Sequence, residues 1–161
     1  MNLRQLCFSA LCGILLLSVL TTSCKKDEKD HKQVAEYSAE AALEWNKLFL
    51  DVERYAAGYR PGPAPRSLAL MGLAIYEACV TGMPSFNSLE SRYDGLNIPD
   101  VESGKEYHWP TVVNAVYATM MPQFFTAPPA DEKAKMDALT ADLYADFQSE
   151  VSTEVFERSK A

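Results

Sequence analysis

A proline-rich segment followed by a long apolar run, Tyr59 to Leu89, constrains the fold of this chain more than any other feature. The three prolines between positions 61 and 65 have no backbone N–H donor, which predicts a non-helical start to the segment. The run from Leu68 to Val80 contains no proline, and its large apolar side chains recur at helical spacing. Because they cover most of the helix circumference, the pattern predicts a buried central helix that ends before Pro84.

Other segments have the same helical periodicity. They are Gln33–Tyr59, Trp109–Gln123, Asp131–Glu150 and a final helix that begins at Ser152 or Thr153 and continues to Ala161. Residues 85–106 lack a sustained period and contain several turn-forming residues, which predicts a connector built from turns and loops. No segment shows the alternation typical of a strand. The sequence therefore predicts an all-α fold, an array of about five helices.

The N-terminus has the features of a secretory signal. Arg4 precedes an apolar stretch from Leu6 to Leu20, which is too short for a comfortable membrane span. Ser23 and Cys24 follow, and this arrangement resembles a bacterial lipoprotein signal in which the cysteine carries the lipid. We predict a lipoprotein signal peptide over residues 1–23, lipid attachment at Cys24, a flexible tether over 24–32 and a helical domain over 33–161. Secretion without a lipid and a retained anchor helix are the alternatives.

A lipid on Cys24 would make the membrane a partner of the protein. We therefore expect the chain in the cell envelope, lipid-anchored to the outer membrane. Lys26, Asp27 and Glu28 resemble the acidic export tag of surface-displayed lipoproteins, which adds exposure at the cell surface as one outcome. A solvated tether is the simpler interpretation of the same three residues.

The charge of the chain excludes one class of partner. The formal net charge is −7, with 22 acidic and 15 basic residues and no basic stripe, which argues against nucleic-acid binding. Cys79 is the one cysteine beyond Cys24, and its place on an apolar helix predicts a small core residue. No disulfide framework is expected.

Several short motifs, taken in their order along the chain, support a resemblance to a known family. They comprise Tyr59, Pro61 and Arg66, then Tyr76-Glu77-Ala78, Gly82-Met83-Pro84, Ser88-Leu89, Tyr107-His108-Trp109-Pro110, Asn114-Ala115 and Phe156-Glu157-Arg158-Ser159. This order resembles the N-terminal helical half of vanadium-dependent haloperoxidase-like proteins of the type 2 phosphatidic acid phosphatase superfamily. The resemblance covers roughly Ala35 to Ala161. It implies a helical scaffold that is incomplete relative to the family.

The oxyanion site of that family is the part that the sequence does not contain. The family binds phosphate or vanadate with a Lys seven residues before an Arg-Pro pair, followed by Ser-Gly-His and a later Ser-Arg with a further His. Here Arg60-Pro61 supplies the pair, but Glu53 stands in the place of the Lys. Ser-Gly-His is missing, and His31 and His108 are the only histidines. We therefore predict no catalytic, cofactor-binding or metal residue in this chain; vanadate, if used, would bind only in a complete family member.

Four residues are predicted to act as structural anchors: Arg66, Tyr76, Glu77 and Trp109. Arg66 and Glu77 are eleven residues apart on one helix, about 16 Å along its axis, so they cannot pair with each other. Each is expected to pair with a polar group on a neighbouring helix, because buried charges need partners. His108 is interpreted as a capping or surface histidine.

Two functions of different classes follow from these features. The first is the N-terminal scaffold portion of a haloperoxidase- or phosphatase-like lipoprotein, inactive alone, whose partner would be a C-terminal catalytic half. The second is a stand-alone helical surface lipoprotein that binds a partner or a glycan. A remnant without activity is a third interpretation. Whether a complete protein would act on phosphoesters or on halide and peroxide stays open, as does enzyme status.

Overall fold

The computed structural model describes residues 31–99 and 101–161. They form five α-helices: α1 Glu40–Tyr55, α2 Pro63–Cys79, α3 Trp109–Phe124, α4 Ala130–Glu150 and α5 Thr153–Lys160. Single 3-10 turns lie at Val34–Glu36, Val80–Gly82 and Glu90–Arg92, and this part of the chain contains no strand. The predicted all-α array of about five helices is confirmed.

Residues 31–161 form one compact unit, so packing begins two residues before the predicted domain start at Gln33. The predicted signal peptide, the lipid attachment at Cys24 and the tether as far as residue 30 lie outside the described residues. Among the helices that are described, none combines the length and the apolar character required to cross a bilayer.

The central helix is α3, which packs against each of the other four helices. The prediction that the Leu68–Val80 helix is central was therefore wrong. Within α2 only part of the surface is covered, and Leu70 remains 40% exposed. An apolar circumference shows how much of a helix can be buried, but the number of helices that surround it depends on the rest of the chain.

The core lies where α1, α3 and α4 meet. The rings of Trp45 and Tyr117 are stacked, with centroids 5.4 Å apart and an angle of 2° between their planes. Trp45 Nε1 donates a hydrogen bond to Asn114 Oδ1 at 2.7 Å, and Asn114 Nδ2 donates to the carbonyl of Thr140 at 3.2 Å. This buried polar chain links all three helices.

Two helix starts differ from the prediction. The first helix begins at Glu40 and not at Gln33, because the chain is extended at Tyr37 (φ −102°, ψ 155°) after the turn at Val34–Glu36. The second begins at Pro63, inside the segment expected to be non-helical. A helix tolerates proline in its first turn, where backbone N–H groups have no intrahelical acceptor. The predicted cap of the last helix is confirmed, since Ser152 Oγ accepts from the Val155 N–H at 3.3 Å.

Candidate functional site

An apolar cleft of about 350 Å³ lies between the segment that precedes α1 with the first turn of α1, the second half of α2 and the start of α3. Its walls include Tyr37, Ala41, Gly72, Ile75, Trp109 and Val113. The N-terminal segment is held in place by Trp109, whose Nε1 donates to the carbonyl of Lys32 at 3.2 Å. Because the chain leaves helical structure at Tyr37, the segment before α1 can form a third wall of the cleft beside α2 and α3.

Trp109 forms one wall, and Gly82 is required for its position. A Cβ atom on Gly82 would overlap the six-membered ring of Trp109 and would come within 2.8 Å of Val34 Cγ2. The glycine at the end of the Val80–Gly82 turn thus permits close approach of the indole ring. This contact fixes the side of the cleft nearest the connector.

Gly72 lies in the interior of α2 and lines the same cleft. A Cβ atom built on it would meet nothing within 4 Å, so packing does not require a glycine there. A glycine inside a helix is destabilising by roughly 0.5–1 kcal/mol relative to alanine. Gly72 is exposed to solvent where it borders the cleft.

A buried histidine stands behind Tyr37. The ring of His108 is 1% exposed and meets the Tyr37 ring edge-on, with centroids 5.1 Å apart. Its Nδ1 shares a hydrogen bond of 2.8 Å with Thr111 Oγ1. Its Nε2 lies 3.3 Å from a carboxylate oxygen of Glu150 but is not aligned with it for a hydrogen bond. His108 is thus a buried residue at the start of α3. Of the two interpretations from the sequence, a capping or a surface histidine, the surface position was wrong.

The environment sets the charge of these groups. Burial lowers the pKa of His108, and the Glu150 carboxylate offsets only part of that effect, so the neutral imidazole is favoured. Burial also raises the pKa of the Tyr37 hydroxyl, with further contributions from the carboxylates of Glu106, Glu150 and Glu36. Both rings are uncharged near neutral pH.

Nucleophilic chemistry is not favoured at the cleft. Cys79 lines it, but burial raises the pKa of the thiol to about 11, and a thiol of that kind is protonated near neutral pH. Within residues 31–99 and 101–161 no three His, Cys, Asp or Glu side chains are grouped as a metal site would need. The cleft is therefore suited to binding apolar groups by burial.

Two of the predicted anchors hold the connector. Glu77 is buried, and its carboxylate accepts from Ser88 Oγ and from the Leu89 N–H, each at 2.7 Å. The hydroxyl of the adjacent Tyr76 donates to the carbonyl of Asn87 at 2.7 Å. The partners of Glu77 therefore lie on the connector and not on a neighbouring helix as expected, because the chain turns back after α2 and presents its own N–H and hydroxyl groups.

The other two anchors differ from each other. Trp109 is buried beside Gly82, as described above. Arg66 is exposed on the first turns of α2, so the expectation that it pairs with a neighbouring helix was wrong. Periodicity placed it on the helix but did not show that its side chain points to solvent, where a guanidinium needs no protein partner.

Arg60, unlike Arg66, forms an ion pair, and its partner is the carboxylate of Glu53. Its Nε donates to Glu53 Oε2 at 2.7 Å, and its Nη2 donates to Glu53 Oε1, which gives a two-point contact. This hydrogen bonding lowers the pKa of the buried Glu53 carboxyl, against the opposing effect of burial. The carboxylate of Glu53 thus occupies the guanidinium of Arg60, next to Pro61.

Sequence reasoning did not identify the cleft. Tyr37, Gly72 and Val113 line it from three separate segments, and none of them belongs to a motif that the sequence analysis singled out. The available signal was Gly72, a single glycine inside an otherwise apolar helix. No protein-family profile, characterised protein or solved structure is detectably similar to this chain.

Proposed function

We propose that this chain is the helical scaffold portion of a cell-envelope lipoprotein of the haloperoxidase- or phosphatase-like kind, without an oxyanion site of its own. The proposal rests on one observation: residues of the motifs that give the family resemblance hold the connector against the helices. Glu77 bonds to Ser88 and Leu89, and Gly82 admits the ring of Trp109. Such contacts are those of a scaffold.

The far end of the connector is held in the same way. Arg158 Nη1 donates to the carbonyl of Glu106 at 3.1 Å, and Ser159 Oγ accepts from the His108 N–H at 2.8 Å. Arg158 also bonds to Glu154, within its own helix. The Phe156–Ser159 motif therefore ties α5 to the residues that precede α3, which supports a structural role for it.

The state of Arg60 also supports a scaffold without an oxyanion site. A phosphate or vanadate cradle needs guanidinium and ammonium donors that are free to bind the anion. The Arg60 donors are directed to the buried carboxylate of Glu53, whose negative charge would repel an oxyanion. In a complete protein, a C-terminal half would supply the cradle, and vanadate would be its cofactor only in a haloperoxidase.

The activity of the full-length chain tests this proposal. We expect no hydrolysis of p-nitrophenyl phosphate and no bromide oxidation with hydrogen peroxide and vanadate, because no cradle is assembled. Activity above the buffer rate that disappears in Arg60→Ala would overturn the proposal. The intact mass of the mature protein from its host then shows whether further chain is attached.

The lipid anchor is tested separately. We propose that Cys24 carries the lipid and holds the domain at the outer membrane. Cys24→Ala should abolish incorporation of labelled fatty acid and move the protein from the membrane to the soluble fraction. Cys79→Ala is the matched control, because that thiol is buried in the domain and should not affect labelling. Unchanged labelling of Cys24→Ala would contradict the anchor.

A stand-alone surface lipoprotein that binds a partner protein is the second candidate. It is favoured by two exposed leucines on α1, Leu43 at 56% and Leu50 at 49%. They are two helical turns apart, so they share one face and lie about 10 Å from each other. Leu43→Lys with Leu50→Lys should then abolish capture of a surface partner without lowering the melting temperature; unchanged capture would exclude this face.

A further inference from the structure

We propose that residues 31–38, the segment before α1, form a strap that opens when the buried imidazole of His108 takes up a proton. The strap forms one wall of the apolar cleft through Val34, Tyr37 and Ser38. Its release would therefore uncover the surface of α2 and α3 that lines the cleft. This switch goes beyond the scaffold role and does not depend on it.

The strap is held to the rest of the domain by few contacts. Within the described part of the chain, two hydrogen bonds join it to residues outside α1. The Trp109 indole donates to the carbonyl of Lys32 at 3.2 Å, and His31 Nε2 donates to the carbonyl of Gly104 at 3.2 Å. The 3-10 turn within the strap, Val34–Glu36, has no buried residue. Such a segment can open at a smaller cost in free energy than unfolding of the helices.

Tyr37 of the strap covers the imidazole of His108. The two rings meet edge-on with centroids 5.1 Å apart, and Phe147 of α4 is a second aromatic ring in contact, with its centroid at 5.3 Å. His108 Nδ1 is bonded to Thr111, but the buried Nε2 has no hydrogen-bond partner in the described part of the chain. An imidazolium has an N–H on both nitrogens, so protonation leaves a buried N–H without an acceptor while the strap is closed.

The charged groups around His108 give the direction of the switch. Burial lowers the pKa of His108 and so does the Lys32 ammonium, whereas the carboxylates of Glu150 on α4 and Glu106 on the connector raise it. From α5, the uncharged hydroxyl of Ser159 accepts from the His108 N–H. Lys32 and the covering aromatic ring belong to the strap, and both carboxylates belong to the rest of the domain. Opening therefore weakens the two effects that disfavour the imidazolium and keeps the two that favour it, so proton uptake and opening promote each other.

The other histidine opposes this switch weakly. His31 Nε2 carries a proton because it donates to the Gly104 carbonyl, so Nδ1 is the atom that gains a proton in acid. That nitrogen lies 4.0 Å from a carboxylate oxygen of Glu106, and a charge on His31 would hold the strap more firmly. The two side chains are 27% and 45% exposed, and an ion pair at such a position contributes little. The buried His108 therefore sets the direction.

The two tryptophans of the chain report on the strap and on the core separately. The Trp109 indole N–H is bonded to the strap, whereas the Trp45 indole N–H is bonded to Asn114 in the core. Exchange of both protons with deuterated water is followed by NMR. The chain used starts at Lys25 and needs no detergent, because the compact unit and its whole core lie within residues 31–161. The exchange rate of N-acetyltryptophanamide at the same pH, divided by each rate, gives a protection factor for each indole.

We expect the Trp109 indole to be less protected than the Trp45 indole, because the strap opens without unfolding of the core. Its protection should fall severalfold from about pH 7.5 to about pH 5.5, with a ceiling of about tenfold for one proton taken up at an ordinary histidine pKa. His108→Gln should abolish this fall, since glutamine does not titrate. His31→Gln is the matched control and should retain it.

Any of four results would overturn the proposal. Equal protection of the two indoles would mean that only global unfolding exposes Trp109. Protection of Trp109 that is independent of pH, or that falls equally in His108→Gln, would exclude His108 as the sensor. A fall that His31→Gln abolishes would make His31 the sensor instead. If His108→Gln does not fold, Tyr37→Ala takes its place: it should raise the pKa of His108, followed through the NMR signals of the ring, and an unchanged pKa would exclude the strap as the cover.

Discussion

The hydrogen bond between Trp45 and Asn114 should be the most costly polar contact to remove from the core. Both residues are fully buried, and the bond links α1 to α3 across 69 residues of chain. Replacing Asn114 with leucine leaves the Trp45 N–H without an acceptor and the Thr140 carbonyl without a second donor. The side chain keeps its approximate size, so the loss reports hydrogen bonding more than cavity formation.

The magnitude follows from the burial. An unpaired buried N–H costs about 1–3 kcal/mol, so we expect Asn114→Leu to lower the free energy of unfolding by about 2–3 kcal/mol. Trp45→Phe removes the donor and part of the ring that stacks on Tyr117, at a cost of about 2–3 kcal/mol. In the double variant neither polar group is left unpaired. Its loss should therefore be smaller than the sum of the single losses by about 1–2 kcal/mol.

Urea denaturation followed by circular dichroism measures all four proteins without relying on tryptophan fluorescence. The same compact chain from Lys25 is suitable. A coupling energy near zero would refute the interpretation, because it would mean that Trp45 and Asn114 contribute independently. Thr111→Val is a matched control: this buried residue bonds to His108 instead, and it should show no coupling with Trp45→Phe.

Two further predictions concern the connector and the buried histidine. Glu77→Gln should weaken the hold on Ser88 and Leu89 and lower the free energy of unfolding by about 1 kcal/mol, with faster hydrogen exchange at the Leu89 amide; unchanged exchange would contradict this. Burial lowers the pKa of His108 below 6.5 in the folded state. Between that lowered pKa and pH 6.5, the unfolded chain therefore binds more protons than the folded chain. Stability should therefore fall as the pH drops from about 6.5 through the folded pKa, and His108→Gln should remove this contribution; equal pH profiles of the two proteins would contradict it.

The helices were predictable because their determinants are local. The steps of three and four between apolar residues, the proline in the first turn of α3 and the cap at Ser152 all act within one or two turns of chain. Helix boundaries were less predictable. The stripe from Gln33 continues through Tyr37 without interruption in the sequence, yet Tyr37 is extended, and it packs against His108 from a distant segment.

The candidate site was not predictable, because each of its features depends on residues far apart in the chain. Glu77 was expected to be buried with a partner, and its partners proved to be on the connector. Arg66 was expected to need a partner and is exposed. The cleft exists only because the Tyr37 segment and Trp109 stand opposite α2. No local pattern records such an arrangement.

The sequence by itself determined that this part of the chain is all-α and where α3, α4 and α5 lie to within one or two residues, since propensity, periodicity and capping act over short distances. Only the tertiary structure decided that α3 is central, that Glu53 neutralises Arg60, and that a cleft remains beside Gly72. The physical reason is that burial and pairing are properties of two surfaces in contact. A periodic pattern describes only one of them.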